Sequence, residues 1–130
     1  MTTKANTSDV LLKKSASGGY YIEENSNELG EKAFATNSEC TASGMYSHAE
    51  GGGTANGVCS HAEGLSTASG MYSHAEGGGT VSGNYSHAEG LSTASGDYSN
   101  AEGYGIASGD SSHAEGNTAK AQGNYSHAEG

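Results

Sequence analysis

The chain has no tryptophan, no proline, a single phenylalanine (Phe34) and two cysteines. Only 32% of its 130 residues are apolar, enough length for one domain but too little bulk for a core of large side chains. The missing proline fits a backbone in which nearly every N–H is needed in a ladder. Cys40 and Cys59 are too few for a disulfide framework, and Cys59 reads as a tolerated small apolar residue. No apolar run reaches transmembrane length and no signal-peptide pattern follows Met1, so the expectation is cytoplasmic synthesis without membrane insertion. Positive charge is scarce: 5 Lys+Arg face 15 Asp+Glu, a net −10. Residues 41–130 carry one lysine, Lys120, so that part is acidic almost throughout. Phosphate binding needs a basic surface, which argues against a nucleic-acid partner.

Low hydrophobicity with high net charge ordinarily signals disorder. Here a strict repeat opposes it. The phrase Ser47-His48-Ala49-Glu50-Gly51 returns at Ser60, Ser73, Ser86, Ser112 and Ser126, and once with Asn100 in place of His. Its His/Asn slot falls at 48, 61, 74, 87, 100, 113 and 127, a step of 13 residues that becomes 14 at the end. All six histidines occupy that slot. Self-similarity at a short fixed period marks a stacked architecture that grows along one axis. A narrow solenoid needs few large side chains, because small residues and backbone fill it.

Thirteen residues are too few for a helix-turn-helix unit and suit two short strands with two tight turns. The expected fold is therefore all-β, a β-solenoid of coils of about 13 residues rising about 4.8 Å each. Gly51 and Gly57 are expected in turns with positive φ. A longer period overlies the first: Gly51-Gly52-Gly53-Thr54 and Gly77-Gly78-Gly79-Thr80 alternate with Gly64-Leu65-Ser66-Thr67 and Gly90-Leu91-Ser92-Thr93. Three regions follow: 1–28, a non-repetitive cap or attachment segment; 29–46, a degenerate first coil; and 47–130, the regular repeats. The cap reading rests on the unpaired strand groups that the open end of a solenoid would expose.

Strand alternation assigns faces. Ser47, Ala49 and Gly51 share one side and, being small, are expected inside; Tyr46, His48 and Glu50 share the other. Ladders should thus run along the outside: His48, His61, His74, His87, His113 and His127; Glu50, Glu63, Glu76, Glu89, Glu102 and Glu115; and Tyr46, Tyr72, Tyr85 and Tyr125.

The wording resembles the YadA-like head repeat of trimeric autotransporter adhesins and related bacterial haemagglutinin-type repeats. That unit of 14 residues reads roughly Ala-x-Ala-x-Gly-x-x-Ser-x-Ala-x-Gly, and the last coil matches it through Ala119, Ala121, Gly123, Ser126, Ala128 and Gly130. The other coils match with one residue deleted before the middle Gly, and the resemblance covers about residues 41–130. It implies a left-handed β-roll, three parallel chains around an axis, and a role in adhesion or as a rigid spacer. The Ser-His-Ala-Glu-Gly version is similar to that of phage tail-fibre and tailspike-type proteins. The chain shows no match to the stalk and anchor of an autotransporter, which turns the expectation toward a phage or fibre setting. The family carries apolar residues at the slots held here by His and Glu and turns them to the trimer axis. With that face inward, His–Glu hydrogen bonds would have to satisfy the carboxylates, and the ladder would set the register of a homotrimer.

Other chemistries fit less well. Symmetry could gather imidazoles for Zn or Ni, but a dedicated metal site occurs once and has supporting outer groups; no metal or cofactor is assigned. Calcium-binding repeats need an Asp after their glycines, absent here. Adjacent Ser and His on a strand point to opposite faces, so they are no nucleophile–base pair, and the chain is expected to be non-enzymatic. The Thr row Thr54, Thr67, Thr80 and Thr93, interrupted by Ile106, raises an ice-binding alternative, although Thr also favours turns. A second alternative is a surface adhesin binding carbohydrate or matrix protein, read at Tyr98, Tyr104, Asp97 and Asp110, where the repeat is expected to break. The leading expectation is a structural and attachment rod of a virion tail fibre or a bacterial surface fibre, with avidity for a repeated host-surface ligand.

Overall fold

The structure, a computed structural model, describes residues 29–37 and 39–130. The expectation of a cap or attachment segment at 1–28 lies outside the described residues. The described chain winds as a parallel β-solenoid of about seven turns, with two short strands per coil and no helix. One strand of each coil is β1 (Phe34–Ala35), β3 (His48–Glu50), β5 (His61–Glu63), β7 (His74–Ala75), β9 (His87–Gly90), β11 (Asn100–Gly103), β13 (His113–Gly116) or β15 (His127–Glu129). These eight stack in that order into the first sheet. The other strand is β2 (Thr41–Ala42), β4 (Thr54–Ala55), β6 (Thr67–Ala68), β8 (Thr80–Val81), β10 (Thr93–Ala94), β12 (Ile106–Ala107) or β14 (Lys120–Ala121), and these form the second. The register is that of the repeat: His61 pairs with His74, Thr67 with Thr80. In the first coil Phe34 takes the His slot and Ala35 the Ala slot, pairing with His48 and Ala49.

The core explains the composition. Ala49, Ala62, Ala75, Ala88, Ala101 and Ala114 of the first sheet face Ala42, Ala55, Ala68, Val81, Ala94, Ala107 and Ala121 of the second, all buried. Nothing larger than Val81 stands in these two columns, because the sheets approach too closely for it. The Ser of every phrase but the last is buried at the rim of this core, and Ser73 and Ser99 each donate to a glycine carbonyl at 2.6 Å. Such bonds matter because a buried hydroxyl without a partner costs about 1–3 kcal/mol.

Two expectations about glycine need correction. Gly51 turns at positive φ, 64°, but it is an exposed corner residue rather than an interior one. Gly57 does not have positive φ; its requirement is room. A Cβ at Gly57 would lie 1.9 Å from the Gly70 carbonyl oxygen of the next coil, and the same holds at Gly70 and Gly83. The positive φ falls two residues later, on Tyr46, Cys59, Tyr72, Tyr85, Tyr98, Ser111 and Tyr125, at 54–58°. Each sits third in a tight turn, as where the Ser47 N–H donates to the Gly44 carbonyl at 3.1 Å. The longer period also has a physical reading: Leu65 and Leu91 lie where a Cβ at Gly52 or Gly78 would be, within 2.9 and 2.5 Å. Small and large residues thus alternate from Gly52 to Leu91 at that corner.

Candidate functional site

The first sheet carries the His and Glu columns outward and the Ala column inward, as strand alternation dictates. Parallel, in-register stacking then places identical rings one coil apart. His48, His61 and His74 are stacked at 4.7 and 4.8 Å, with planes within 2° of parallel. His74 and His87 follow at 5.0 Å and 20°. Asn100 breaks the column. Its amide accepts at Oδ1 from the His87 Nδ1 side, 3.0 Å away, while its Nδ2 donates to Glu102 Oε1 at 2.8 Å. Beyond it His113 and His127 resume, tilted by 49°.

Five of the imidazoles turn Nε2 toward a carboxylate of their own coil, of the preceding coil, or of both. His61 Nε2 is 3.4 Å from Glu50, His87 Nε2 is 3.9 Å from Glu76, and His113 Nε2 is 4.0 and 3.9 Å from Glu102 and Glu115. The expected His–Glu hydrogen bond forms at His127, 2.9 Å from Glu129, but not at these rungs. The Nε2 atoms of His48, His61, His74, His87 and His113 are buried and make no hydrogen bond. Flat stacking fixes the ring planes, and the carboxylates, about one third or more exposed, stay in water rather than close the gap. Burial, then the neighbouring His61 and His87, hold the His74 pKa below its ordinary 6.5, against the pull of Glu76 and Glu63. Stacked imidazoles cannot all be charged cheaply.

Donor atoms gather at four places within 4.8 Å of one another: His48, Glu50 and His61; Glu63, His74 and Glu76; Glu76, His87 and Glu89; and Glu102, His113 and Glu115. The serine of each phrase lies inside the coil and the imidazole outside, so Ser and His of one phrase do not meet.

The Tyr column borders this face. Tyr72, Tyr85 and Tyr98 stack at 5.1 and 5.2 Å, and Tyr46 bonds Lys32 Nζ at 3.2 Å. Tyr98 therefore continues the column; it does not break the repeat. Tyr125 stands in the last coil, 85% exposed. Asp97 and Asp110 also have a structural part that sequence reasoning missed. With Asn84 and Asn124 they form a ladder in which each side-chain oxygen accepts the backbone N–H one coil earlier: Met71 to Asn84 at 2.9 Å, Asn84 to Asp97 at 2.8 Å, Asp97 to Asp110 at 3.1 Å, Asp110 to Asn124 at 3.0 Å. The signal was the recurrence of Asn or Asp in the residue before Tyr or Ser, coil after coil.

On the second sheet Thr41, Thr54, Thr67, Thr80 and Thr93 stack in register and are followed by Ile106 and Lys120. Ser69, Ser82, Ser95 and Ser108 run beside them, exposed. Cys40 is buried beneath this sheet's first rung; burial pushes its thiol up, but bonds from Thr36, Gly52 and Asn37 outweigh that and bring it below 9.0. No helix among the described residues is long and apolar enough to cross a membrane. No protein-family model matches the chain, and no curated protein matches it.

Proposed function

We propose that the chain is a self-associating rod, a non-enzymatic structural and attachment module in which three copies, wound left-handed, pack side by side through the His–Glu sheet. One observation carries this reading. Tyrosine is held at positive φ in five of the seven regular coils, where Gly or Asn would turn the chain with less strain. Its ring is then left about half exposed or more, from 49% at Tyr46 to 85% at Tyr125. A side chain kept at a strained position without burial in its own chain is explained by contact with something outside it. The exposed Leu65, Leu91 and Tyr104 at the other corner extend the apolar surface, whereas the outward Thr and Ser columns include only Ile106 among large apolar residues.

The occupant is a second and third copy rather than a sugar. Carbohydrate stacks on the face of an aromatic ring, and the faces of Tyr85 are already covered by Tyr72 and Tyr98. What remains free is a row of ring edges and hydroxyls, a surface suited to an equally repetitive partner. A stiff rod whose every coil is hydrogen-bonded to the next suits a spacer in a tail fibre or bacterial surface fibre, and multiplicity gives avidity for a host-surface ligand. The test is arginine placed on each face. Y85R with L91R should reduce the mass in light scattering to that of one chain, with the β-sheet circular dichroism retained. T80R on the opposite sheet should leave the mass unchanged. Equal behaviour of the two variants would overturn the assignment of this face.

A further inference from the structure

The His–Glu face, which the proposed function places between copies, holds one rung unlike the rest. At His87 the tautomer is set by a neighbour. Asn100 Nδ2 donates to the Glu102 carboxylate at 2.8 Å, which leaves Asn100 Oδ1 as the acceptor facing His87 Nδ1 at 3.0 Å. Nδ1 must therefore carry the proton, and in the neutral ring Nε2 holds a bare lone pair. That Nε2 is buried without a hydrogen-bond partner and lies 3.9 Å from Glu76 Oε1, with a Glu89 oxygen also within the 4.8 Å group. One lone pair and two carboxylates converge there. Three acceptors around one point repel one another unless a cation joins them.

The geometry points to a divalent transition-metal site at Glu76, His87 and Glu89, with Asn100 as the positioning residue that fixes the imidazole. One imidazole and two carboxylates suit a first-row ion such as Zn²⁺, with water completing the shell. An ion centred among three atoms 4.8 Å apart would lie about 2.8 Å from each, so reaching Zn–N and Zn–O lengths of ~2.0–2.1 Å takes shifts of roughly 0.7 Å. The carboxylates have that freedom: the Glu76 side chain is 33% exposed and Glu89 is an exposed residue. The two objections that the sequence raises against metal are also met here. Asn100, the one break in the His column, supplies the outer group that a ligating imidazole needs. It also makes this rung unlike the others, whose Nδ1 atoms have no such carboxamide. A proton is the competing occupant, and the visible absorption of a bound metal distinguishes the two.

The experiment is isothermal titration of the chelator-stripped full chain with Zn²⁺ alone at neutral pH, repeated with Co²⁺ to read its visible absorption. The expected result is saturable binding whose tightest equivalent weakens about tenfold or more in H87N and in E76Q, with Co²⁺ bands lost in parallel. H87N copies the residue already present at Asn100, so the coil should tolerate it, and circular dichroism checks that it does. T80S on the opposite sheet should bind as the parent does. Absence of saturable uptake at submillimolar Zn²⁺, or a titration that H87N and E76Q leave unchanged, would overturn the site. Because this face also lies between the copies of the proposed trimer, the mass of H87N and E76Q is measured alongside: loss of metal with the trimer retained is expected, and loss of metal only where the trimer is lost would overturn the site.

Discussion

Replacing Gly70 by alanine should cost far more than its conformation suggests. Gly70 does not have positive φ, so backbone strain is not the issue. The added Cβ would lie 2.0 Å from the Gly83 carbonyl oxygen and 2.5 Å from its carbon. Relief requires the two coils to part by more than about 1 Å at this corner, since nonbonded carbon and oxygen settle beyond 3 Å. That movement breaks the Tyr85 N–H to Met71 carbonyl bond of 2.8 Å and the Met71 N–H to Asn84 bond of 2.9 Å. Two such bonds at about 1 kcal/mol each, with an overpacking cost of about 1–3 kcal/mol, give a loss of roughly 3–5 kcal/mol. For the roughly 100 described residues this lowers Tm by roughly 12–40 °C, at about 4–8 °C per kcal/mol. Gly123 is the control: it occupies the same slot in the last coil, yet its Cβ would meet nothing closer than Ser126 Cβ at 3.8 Å. G123A should therefore melt within a few degrees of the parent. Thermal melts followed by circular dichroism decide it. Equal losses in G70A and G123A, or none in either, would refute the close-approach argument.

Two further outcomes follow from the core and the His column. V81A removes the largest side chain between the sheets and restores the Ala of neighbouring coils; at about 0.8 kcal/mol per buried methyl it should lose about 1.5–2 kcal/mol in denaturant titration. Because the folded chain holds the His74 pKa below its ordinary 6.5, the unfolded chain takes up a proton that the folded chain resists. Stability present above pH 6.5 should therefore decline as pH falls below it, by well under about 1 kcal/mol for a ring 40% exposed to solvent, and the decline should disappear in H74N.

Much of this architecture is written in the sequence because period and alternation are geometric. A 13-residue step that returns the same Ala forces in-register stacking, and a strand places Ala49 and His48 on opposite sides whatever else happens. Gly57 was misread because positive φ and close approach both select glycine and look alike in one sequence; only the neighbouring coil distinguishes them. The left-handed conformation of Tyr72 was hidden for the opposite reason, since tyrosine has no preference for it. Asp97 and Asp110 looked like interruptions because their bonds run to another coil's backbone rather than along the chain. Asn100 looked like a lapse in the His column; its amide turns out to orient His87. The His–Glu rungs were expected to be hydrogen-bonded, but ring stacking at the coil spacing, not carboxylate contact, sets the imidazole planes.

The most direct test of the rod as a self-associating module is its absolute mass in light scattering, at neutral pH and near pH 5. Three copies of 13.0 kDa, about 39 kDa, are expected at neutral pH. Dissociation is expected as the histidines charge, since stacked imidazolium rings on three facing sheets would repel. A mass of 13.0 kDa at neutral pH would contradict the account. A trimer indifferent to pH would place the His–Glu sheet on the outside and contradict the choice of face.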